Sequence, residues 1–327
     1  MGRKIKWGIL STATIAVEQV IPAIQQSSNG EVYAVASSSG KAADVAEQFH
    51  IPNFYESYEE LLKDSSIEAV YIPLPNNSHY EWTIKAARAK KHVLCEKPAA
   101  LDPKKVEEMI LACKNNGVIF MEGFMYRFHP QHKKVKELLT EKVIGDIKMV
   151  RAYFSFYMED RVGNIRLNPN LGGGALYDIG CYCINSIRYI LGTEPLNMAI
   201  LGDMNPDGVD TSAAAVMLFP GNVYTAFMCS FDATLKHEYE IIGTKGTIRV
   251  PYAYRPDLNA GNGMVQIYLD NEYKEFIING DQYLLEVEHF ADCIINNREP
   301  SYTGEDSLAN LKVIDSLIEK LTNQPVQ

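Results

Sequence analysis

Residues 92–98 read HVLCEKP, an apolar run that ends in a carboxylate, an ammonium group and a proline. Because the run does not alternate and lies between two amphipathic helical patterns, it predicts an interior parallel β-strand that is covered on both faces. Ligands of open α/β sheets bind outside the carboxyl ends of the strands, so Lys97 and Glu96 are expected at a cofactor site. The local alternative is a solvated lysine before a loop.

The sequence on either side continues this pattern. Buried strands that alternate with amphipathic helices are predicted at residues 5–10, 32–37, 69–72, 92–96 and 118–122. This alternation predicts an α/β fold in which residues 1–123 form a Rossmann domain, a doubly wound parallel sheet that binds a dinucleotide. Since 327 residues exceed one ordinary core, a second domain is expected at residues 124–327.

The second domain has a different strand pattern. Its predicted strands, several of them linked by Gly-Asn, Gly-Thr or Asp-Asn turns, cover residues 147–157, 213–219, 223–229, 238–242, 247–250, 265–269 and 274–278. They predict an α+β domain built on a large, mostly antiparallel open sheet. Helical patterns follow at residues 284–295 and 308–321. Helices mainly on one side would leave a sheet face uncovered, which predicts a homodimer or homotetramer through this sheet.

Composition excludes several classes of function. The net charge of −10 is spread along the chain, which argues against a nucleic acid or an anionic membrane as partner. No apolar run approaches membrane-spanning length, and Gly8-Ile9-Leu10 is too short for the core of a signal peptide. The six cysteines lack the spacing of a metal site, so we expect buried thiols, no metal and a cytoplasmic protein.

The turn after the first strand is the predicted pyrophosphate site. Ser11, Ala13 and Ala16 stand where the G-x-G-x-x-G fingerprint has glycines, so the motif alone is weak. The substitutes are small, and Ser11 and Thr12 add hydroxyl groups to the N–H groups at the helix start. Ser11, Thr12, Ala13 and Ile15 are therefore candidate cofactor contacts. A plain strand-to-helix turn is the alternative.

The end of the second strand indicates which dinucleotide binds. An acidic residue there would bind the ribose 2′-hydroxyl of NAD, but residues 37–41 read SSSGK. Ser37, Ser38 and Lys41 can bind a 2′-phosphate, so NADP is favoured over NAD, although a solvated turn has the same composition. The loop after the strand at residues 69–72 adds further candidate contacts, namely Leu74, Asn76 and His79; a capping role is the alternative for His79.

Four motifs together carry a family resemblance. They are CEKP at residues 95–98, PNNSH at 75–79, EGFMYRFHP at 122–130 and GGGALYDIGCY at 172–182. In this order they resemble the glucose-fructose oxidoreductase, inositol dehydrogenase and MocA (Gfo/Idh/MocA) family. Within it, GILSTA at residues 8–13 and the tyrosine at 182 make the chain similar to the branch of dimeric dihydrodiol dehydrogenases, NADP-dependent xylose dehydrogenases and glucose-fructose oxidoreductase. The resemblance implies pyridine-nucleotide redox chemistry on a sugar, polyol or related small molecule.

The last motif departs from many family members, which have histidine four residues after the aspartate. Here Asp178 is followed by Tyr182, and four residues on a helix share a face. Oxidation of a carbinol needs a base at the hydroxyl, and a neighbouring ammonium favours the phenolate of a tyrosine. We therefore predict Tyr182 as acid and base, Lys97 as its electrostatic partner and Asp178 as a ligand of a substrate hydroxyl. A buried aromatic is the alternative for Tyr182.

Three further residues are candidate substrate contacts. Tyr126 and Arg127 follow the last Rossmann strand, where the family resemblance implies the nicotinamide end of the pocket. Arg166 precedes the glycine run and can bind substrate hydroxyls or a phosphate. Either arginine can instead form a structural ion pair.

Three other functions fit the same residues. A dehydrogenase of aromatic trans-dihydrodiols would use the same site. A non-catalytic NADP sensor would bind the cofactor without turnover, against which the presence of both Lys97 and Tyr182 argues. A glycosidase that oxidises its substrate transiently would not accumulate reduced cofactor.

Overall fold

The structure, a computed structural model, describes residues 2–323 and divides them into two compact units. The first unit comprises residues 2–125 and 283–308, and the second comprises residues 126–282 and 309–323. The segment at 283–308 thus returns to the first unit. The predicted functional domains, 1–123 and 124–327, remain a prediction.

A six-stranded parallel sheet forms the centre of the first unit. Its strands are β1 (Ile5–Leu10), β2 (Gly30–Ala36), β3 (Asn53–Tyr55), β4 (Ala69–Ile72), β5 (His92–Glu96) and β6 (Phe120–Gly123). They lie in the order β3-β2-β1-β4-β5-β6, the doubly wound arrangement of dinucleotide-binding domains. The predicted Rossmann sheet is confirmed. Because the strand order reverses between β1 and β4, the ligand-binding crevice of such sheets lies at their carboxyl ends.

Helices connect these strands. They are α1 (Ile21–Gln26), α2 (Ala42–Gln48), α3 (Tyr58–Lys63), α4 (His79–Arg88) and α5 (Pro103–Asn116). A π-helical turn at Ala16–Val20 precedes α1, where the sequence predicted a regular helix. Asp102 caps α5 by accepting a hydrogen bond from the Lys104 N–H at 2.9 Å, and Pro103 occupies its first turn.

Helix α8 (Gln282–Ile295) lies mostly in the first unit, although it is far along the chain. The Phe290 ring lies 5.5 Å from the ring of Trp7 in β1. The Glu288 carboxylate accepts a hydrogen bond from the Ser28 N–H at 2.9 Å. These contacts bind a late segment to β1 and to the turn before β2.

The second unit contains an eight-stranded sheet. Its strands are β7 (Ile147–Tyr157), β8 (Asn197–Met204), β9 (Asp210–Phe219), β10 (Val223–Ser230), β11 (Asp232–Gly243), β12 (Gly246–Val250), β13 (Asn262–Leu269) and β14 (Glu272–Asn279). Their order is β14-β13-β12-β11-β7-β10-β9-β8, and only β7 and β10 pair in parallel. The predicted mostly antiparallel sheet is confirmed. Strand β8 was not predicted, because its sequence lacks β-branched residues apart from one isoleucine.

Helices α6 (Pro130–Thr140) and α7 (Cys181–Leu191) belong to the second unit, and α9 (Gly304–Thr322) begins in the first unit and ends in the second. Side chains of β7 alternate between the two sheet faces, so Ala152 and Phe154 are buried while Arg151 is exposed. None of the helices in residues 2–323 is long and apolar enough to cross a membrane.

Candidate active site

Lys97 directly follows β5 and is partly buried in the first unit. The next peptide bond, to Pro98, is cis. Strand β5 pairs in parallel with β4 and β6, so all three strands end at the same sheet edge. This is the edge at which ligands of doubly wound sheets bind, as predicted for Lys97 from the sequence.

Glu96, the last residue of β5, is held by a buried tyrosine. The Tyr71 hydroxyl donates a 2.6 Å hydrogen bond to Oε1 of Glu96, and the Lys97 N–H lies 3.3 Å from Oε2. Burial, followed by the Glu96 charge, raises the pKa of Tyr71 well above its ordinary value. Tyr71 therefore remains a neutral donor, and the carboxylate beside Lys97 has a fixed orientation.

Glu122 in β6 fixes the backbone that follows Lys97. Its Oε1 accepts the Ala99 N–H at 2.7 Å, and its Oε2 accepts the Tyr302 hydroxyl at 3.0 Å. The side chain is 3% exposed, and burial raises its pKa, against the bonds from Ser307, Ala99 and Tyr302. Glu122 begins the motif at residues 122–130, but nothing in that motif indicates a buried side chain that binds the backbone.

Glu286 in α8 is a second buried carboxyl group in the first unit. It is 1% exposed, and its Oε1 is buried without a hydrogen-bond partner in the structure. Burial, and next the charge of Glu96, raise its pKa well above the ordinary value. A glutamate on an amphipathic helix reads as a surface residue, so the sequence did not reveal it.

His79 lies entirely within the protein. Its Nδ1 is 2.8 Å from the Pro98 carbonyl oxygen, and its Nε2 is 2.7 Å from the Leu74 carbonyl oxygen. The ring thus joins the loop after β4, which contains Asn76, to the loop after β5. Burial lowers the pKa of His79. These contacts give the residue a supporting role between two loops, while its predicted contact with the cofactor remains untested.

The turn after β1 fits a dinucleotide despite its missing glycines. Ser11, at the first glycine position, has φ +148°, a backbone conformation that glycine adopts readily. Its hydroxyl accepts the Ala13 N–H at 3.1 Å. The Thr12 hydroxyl lies 3.3 Å from the Ser37 hydroxyl, which connects the ends of β1 and β2. Ile15 follows in the turn and precedes the π-helical segment.

Hydroxyl groups and a lysine follow β2. Ser37 is 3% exposed, and its hydroxyl lies 2.8 Å from that of Ser39, so its polar atom already has protein partners. Ser38 and Lys41 are exposed. The arrangement presents hydroxyl and ammonium groups where an NAD-specific site has a carboxylate, which fits the 2′-phosphate of NADP.

Tyr182 lies in the first turn of α7 and is 5% exposed. Its ring centroid is 5.3 Å from that of Phe154, 5.6 Å from that of Tyr254 and 5.8 Å from that of Tyr126. Three aromatic side chains from separate segments therefore position the predicted acid and base.

Tyr126 and Arg127 were predicted to contact substrate. The structure places Tyr126 at 0% exposure, with its hydroxyl donating a 2.6 Å hydrogen bond to Asn185. It therefore packs against Tyr182 and presents no surface of its own. The Arg127 guanidinium lies 4.3 Å from the centroid of the Tyr189 ring, a cation–π contact.

Asp178 and Arg166 form an ion pair in the second unit. Arg166 Nε donates to Oδ2 of Asp178 at 2.7 Å. The Asp178 charge raises the pKa of Arg166, and the charge of Tyr182 acts in the same direction. Asp178 lies in a π-helical turn, Leu176–Gly180, although its four-residue spacing from Tyr182 predicts a regular helix.

Asp210, the first residue of β9, anchors the start of this helical segment. Its Oδ2 accepts the Leu176 N–H at 2.7 Å, and a side chain at Gly174, which has φ +133°, would collide with its other oxygen. Asp210 is 6% exposed, and burial raises its pKa to about 6, against backbone N–H donors. Sequence analysis missed this residue, since one aspartate before a strand carries no signal.

The predicted residues thus form two groups. The first unit brings the residues after β1, β2, β4 and β5 to one edge of its sheet. The second unit places Tyr126 against Tyr182 and pairs Arg166 with Asp178, which lies four residues before Tyr182. Within residues 2–323 the structure contains no cluster of three or more side chains suited to bind a metal ion.

Comparisons with known proteins cover both units. Residues 5–124 match the Gfo/Idh/MocA oxidoreductase family with its NAD-binding Rossmann fold, and residues 132–249 match the Gfo/Idh/MocA C-terminal domain. D-xylose 1-dehydrogenase (NADP(+)) 2 of Haloferax volcanii is 36% identical over 314 residues, 96% of each chain. Trans-1,2-dihydrobenzene-1,2-diol dehydrogenase of Mus musculus is 30% identical over 303 residues, 89% of this chain and 88% of that protein.

A solved structure agrees with these matches. KijD10, a 3-ketoreductase from Actinomadura kijaniata in complex with NADP and TDP-benzene, is similar with a TM-score of 0.91 and 30% identity. The similarity covers 98% of each chain. The resemblance inferred from the four motifs is confirmed, and this chain belongs to the Gfo/Idh/MocA family of oxidoreductases.

Proposed function

We propose that this protein is an NADP-dependent oxidoreductase that transfers a hydride between the nicotinamide and a carbinol or carbonyl carbon of a sugar or polyol. The observation that carries the proposal is that each predicted proton-handling residue lies on a braced segment, which here means a segment whose backbone N–H donates to a buried carboxyl group. Lys97 follows a strand whose next loop is bound by Glu122, and Tyr182 lies on a helix whose start is bound by Asp210.

NADP is the proposed cofactor, with NAD as the alternative. The support is the group of serines and Lys41 after β2, with no carboxylate in residues 37–41. The similar xylose dehydrogenase is named for NADP(+), and the similar 3-ketoreductase binds NADP. Ser11, Thr12 and Ala13 would lie along the pyrophosphate, because their turn is at the switch point of the sheet.

The nicotinamide, when bound, accepts or supplies the hydride. In oxidation, Tyr182 as the phenolate takes the proton of the substrate hydroxyl and becomes the phenol, and in reduction the phenol returns the proton. The Lys97 ammonium favours the phenolate and stabilises charge on the substrate oxygen. Asp178 accepts a hydrogen bond from a further substrate hydroxyl and thereby orients the reacting carbon.

A trans-dihydrodiol is the second candidate substrate. The observation that favours it is the 30% identity to the mouse dihydrodiol dehydrogenase over most of both chains. A diol and a sugar both present adjacent hydroxyls, so Tyr182 and Asp178 can bind either.

A turnover screen tests the proposal. The purified protein is incubated with NADP or NAD and with a panel of aldoses, polyols and trans-dihydrodiols, and reduced cofactor is followed at its absorbance maximum. Stoichiometric accumulation of NADPH with an aldose or polyol is expected, which also excludes a glycosidase. NADP binding without oxidation of any compound would contradict the proposal and support a sensor.

Self-association through the second sheet is also proposed. Its outward face carries large exposed apolar side chains on neighbouring strands, namely Met149, Leu201, Val216, Tyr224 and Met228. Met149 pairs with Tyr224, and Met228 and Leu201 both pair with Ala214, so the patch is continuous across β7, β10, β9 and β8. A second copy would cover it. Light scattering should give a dimer or tetramer that Val216→Glu dissociates, and a monomeric wild type would contradict the proposal.

A cytoplasmic location is proposed on separate grounds. All six cysteines are buried as thiols. Buried thiols suit a reducing compartment. Fractionation of the cells that produce the protein tests this location.

A further inference from the structure

We propose that the ion pair of Arg166 and Asp178 makes this enzyme select an uncharged polyol or diol over the phosphorylated, carboxylated or nucleotide-linked form of the same substrate. The inference rests on the proposed function and adds the charge class of the substrate. It distinguishes substrates resembling xylose from the nucleotide sugars that are also used within the family's relatives.

The pair is built into the site by several contacts. Arg166 Nε donates to Asp178 Oδ2 at 2.7 Å, and the side chains are 44% and 17% exposed. The Arg166 carbonyl oxygen also accepts the Gly174 N–H at 2.9 Å, and the Asp178 N–H donates to the Gly174 carbonyl oxygen at 2.9 Å. The guanidinium is therefore held beside the carboxylate by both side chain and backbone. An ion pair, and not a lone cation, therefore lies about one helical turn before Tyr182.

The other arginines of the second unit show the same property. Residues 126–282 contain seven arginines, and six of them form ion pairs with carboxylates: Arg151 with Glu240, Arg161 with Asp232, Arg166 with Asp178, Arg188 with Glu194, Arg249 with Glu238 and Arg255 with Asp257. The seventh, Arg127, lies over the Tyr189 ring. Every arginine of the second unit thus already interacts with a carboxylate or an aromatic ring of the same unit.

These interactions have a consequence for substrate charge. A phosphate or carboxylate is bound most strongly by a guanidinium that can offer two parallel N–H donors. Here the Arg166 guanidinium already donates through Nε to Asp178, so an anionic ligand at its remaining N–H groups would face the like charge of that carboxylate. A hydroxyl meets neither obstacle, because it can donate to a carboxylate oxygen.

The test compares matched substrates. Values of kcat/KM are measured for an aldose, for the same aldose phosphorylated at its terminal hydroxyl and for the corresponding uronic acid, with NADP as cofactor. The wild type should prefer the neutral aldose. Asp178→Asn releases Arg166, so the ratio of anionic to neutral kcat/KM should rise on the order of tenfold, even though both absolute values fall.

Two further variants control the comparison. Arg166→Gln leaves Asp178 without its cation and should lower the same ratio, opposite to Asp178→Asn. Asp146→Asn changes the net charge by the same amount as Asp178→Asn and breaks an exposed ion pair with Lys142. Asp146 immediately precedes β7 and lies eight residues before Phe154, roughly 26 Å along an extended chain, so this variant should leave the ratio unchanged.

The outcomes separate the two proposals. Oxidation that favours the anionic member, or a ratio that Asp178→Asn and Arg166→Gln both leave unchanged, overturns the charge selection while the proposed function stands. No oxidation of any sugar or diol overturns the proposed function and this inference with it. Direct calorimetric binding of the aldose and its phosphate to the NADP-loaded protein gives the same comparison for variants that are too slow to assay.

Discussion

The loop that carries Lys97 and the helix that carries Tyr182 are braced in a similar way, but the positions of the two residues are determined by different features of the fold. In each, a buried carboxylate accepts a backbone N–H near the proposed functional residue, Glu122 from Ala99 and Asp210 from Leu176. Lys97 obtains its place from the order of neighbouring parallel strands. Tyr182 obtains its place from aromatic rings and an aspartate that lie far away in the chain.

The difference shows which kind of site can be located from sequence. The carboxyl end of a strand in a doubly wound sheet lies at a ligand-binding site because of the order of the strands. That order follows from the alternation of strands and helices, which the sequence shows. A helix start in an α+β domain becomes a site only through the segments that pack on it. The following experiments test whether the two braced segments contribute equally.

The largest effects are expected from the two proposed proton-handling residues. Lys97→Met and Tyr182→Phe should each lower kcat by about 10²- to 10⁴-fold, the usual contribution of general acid and base catalysis. NADP affinity, measured by titration of protein fluorescence, should be kept. Tyr157→Phe, at an exposed tyrosine in β7, is the control. Activity that survives both substitutions would refute the assigned roles.

Asp210 should make the stability of the Tyr182 segment depend on pH. Its pKa is about 6 in the folded protein against 3.8 for an ordinary aspartate, so between these values the folded state binds more protons than the unfolded state. The free energy of unfolding therefore falls as pH rises through this window, by about 3 kcal/mol. Asp210→Asn cannot ionise at this position, so its free energy of unfolding should not show this fall.

Denaturant unfolding of the wild type and Asp210→Asn at pH 4 and pH 7 measures this difference. Asp207→Asn, at an exposed aspartate three residues earlier, is the control. A gap between wild type and Asp210→Asn that is the same at both pH values would show that Asp210 does not ionise in this range.

Tyr302→Phe tests the bracing of the Lys97 loop. The substitution removes the hydroxyl that donates to Glu122 but keeps the ring, which lies 5.5 Å from Phe124. Leaving a buried carboxylate oxygen without this donor should lower the free energy of unfolding by about 1.5 to 3 kcal/mol. Tyr55→Phe removes the hydroxyl that donates to the partly exposed Asp64, and it should lower the free energy of unfolding by less than Tyr302→Phe does. Equal costs would mean that the Glu122 bond is no stronger than a surface bond.

The smallest expected effect concerns the cofactor. Ser38→Asp places a carboxylate after β2, where it would repel a 2′-phosphate and accept a ribose hydroxyl. The ratio of kcat/KM for NADP to that for NAD should fall about tenfold, a change of about 1.4 kcal/mol. Ser38→Asn, similar in size but neutral, is the control. An unchanged ratio would show that the residues after β2 do not distinguish NADP from NAD.

Much of the first unit could be predicted from sequence. The apolar runs, the Asp102-Pro103 helix start and the edge position of Lys97 all depend on residues close in the chain. The buried carboxyl groups could not be predicted. Glu122, Glu286 and Asp210 are ordinary acidic residues in sequence, and burial by distant segments is the largest cause of their raised pKa values.

The sequence by itself determined the family, the parallel sheet with Lys97 at its edge and the serine-rich end of β2, because hydrophobic period and short motifs are local properties. The tertiary structure decided that Tyr126 packs beneath Tyr182, that Asp178 pairs with Arg166 and that Asp210 holds the helix start. Each of these contacts joins residues whose partners no local pattern specifies. Their chemistry depends on burial, and burial is set by the packing of the whole unit.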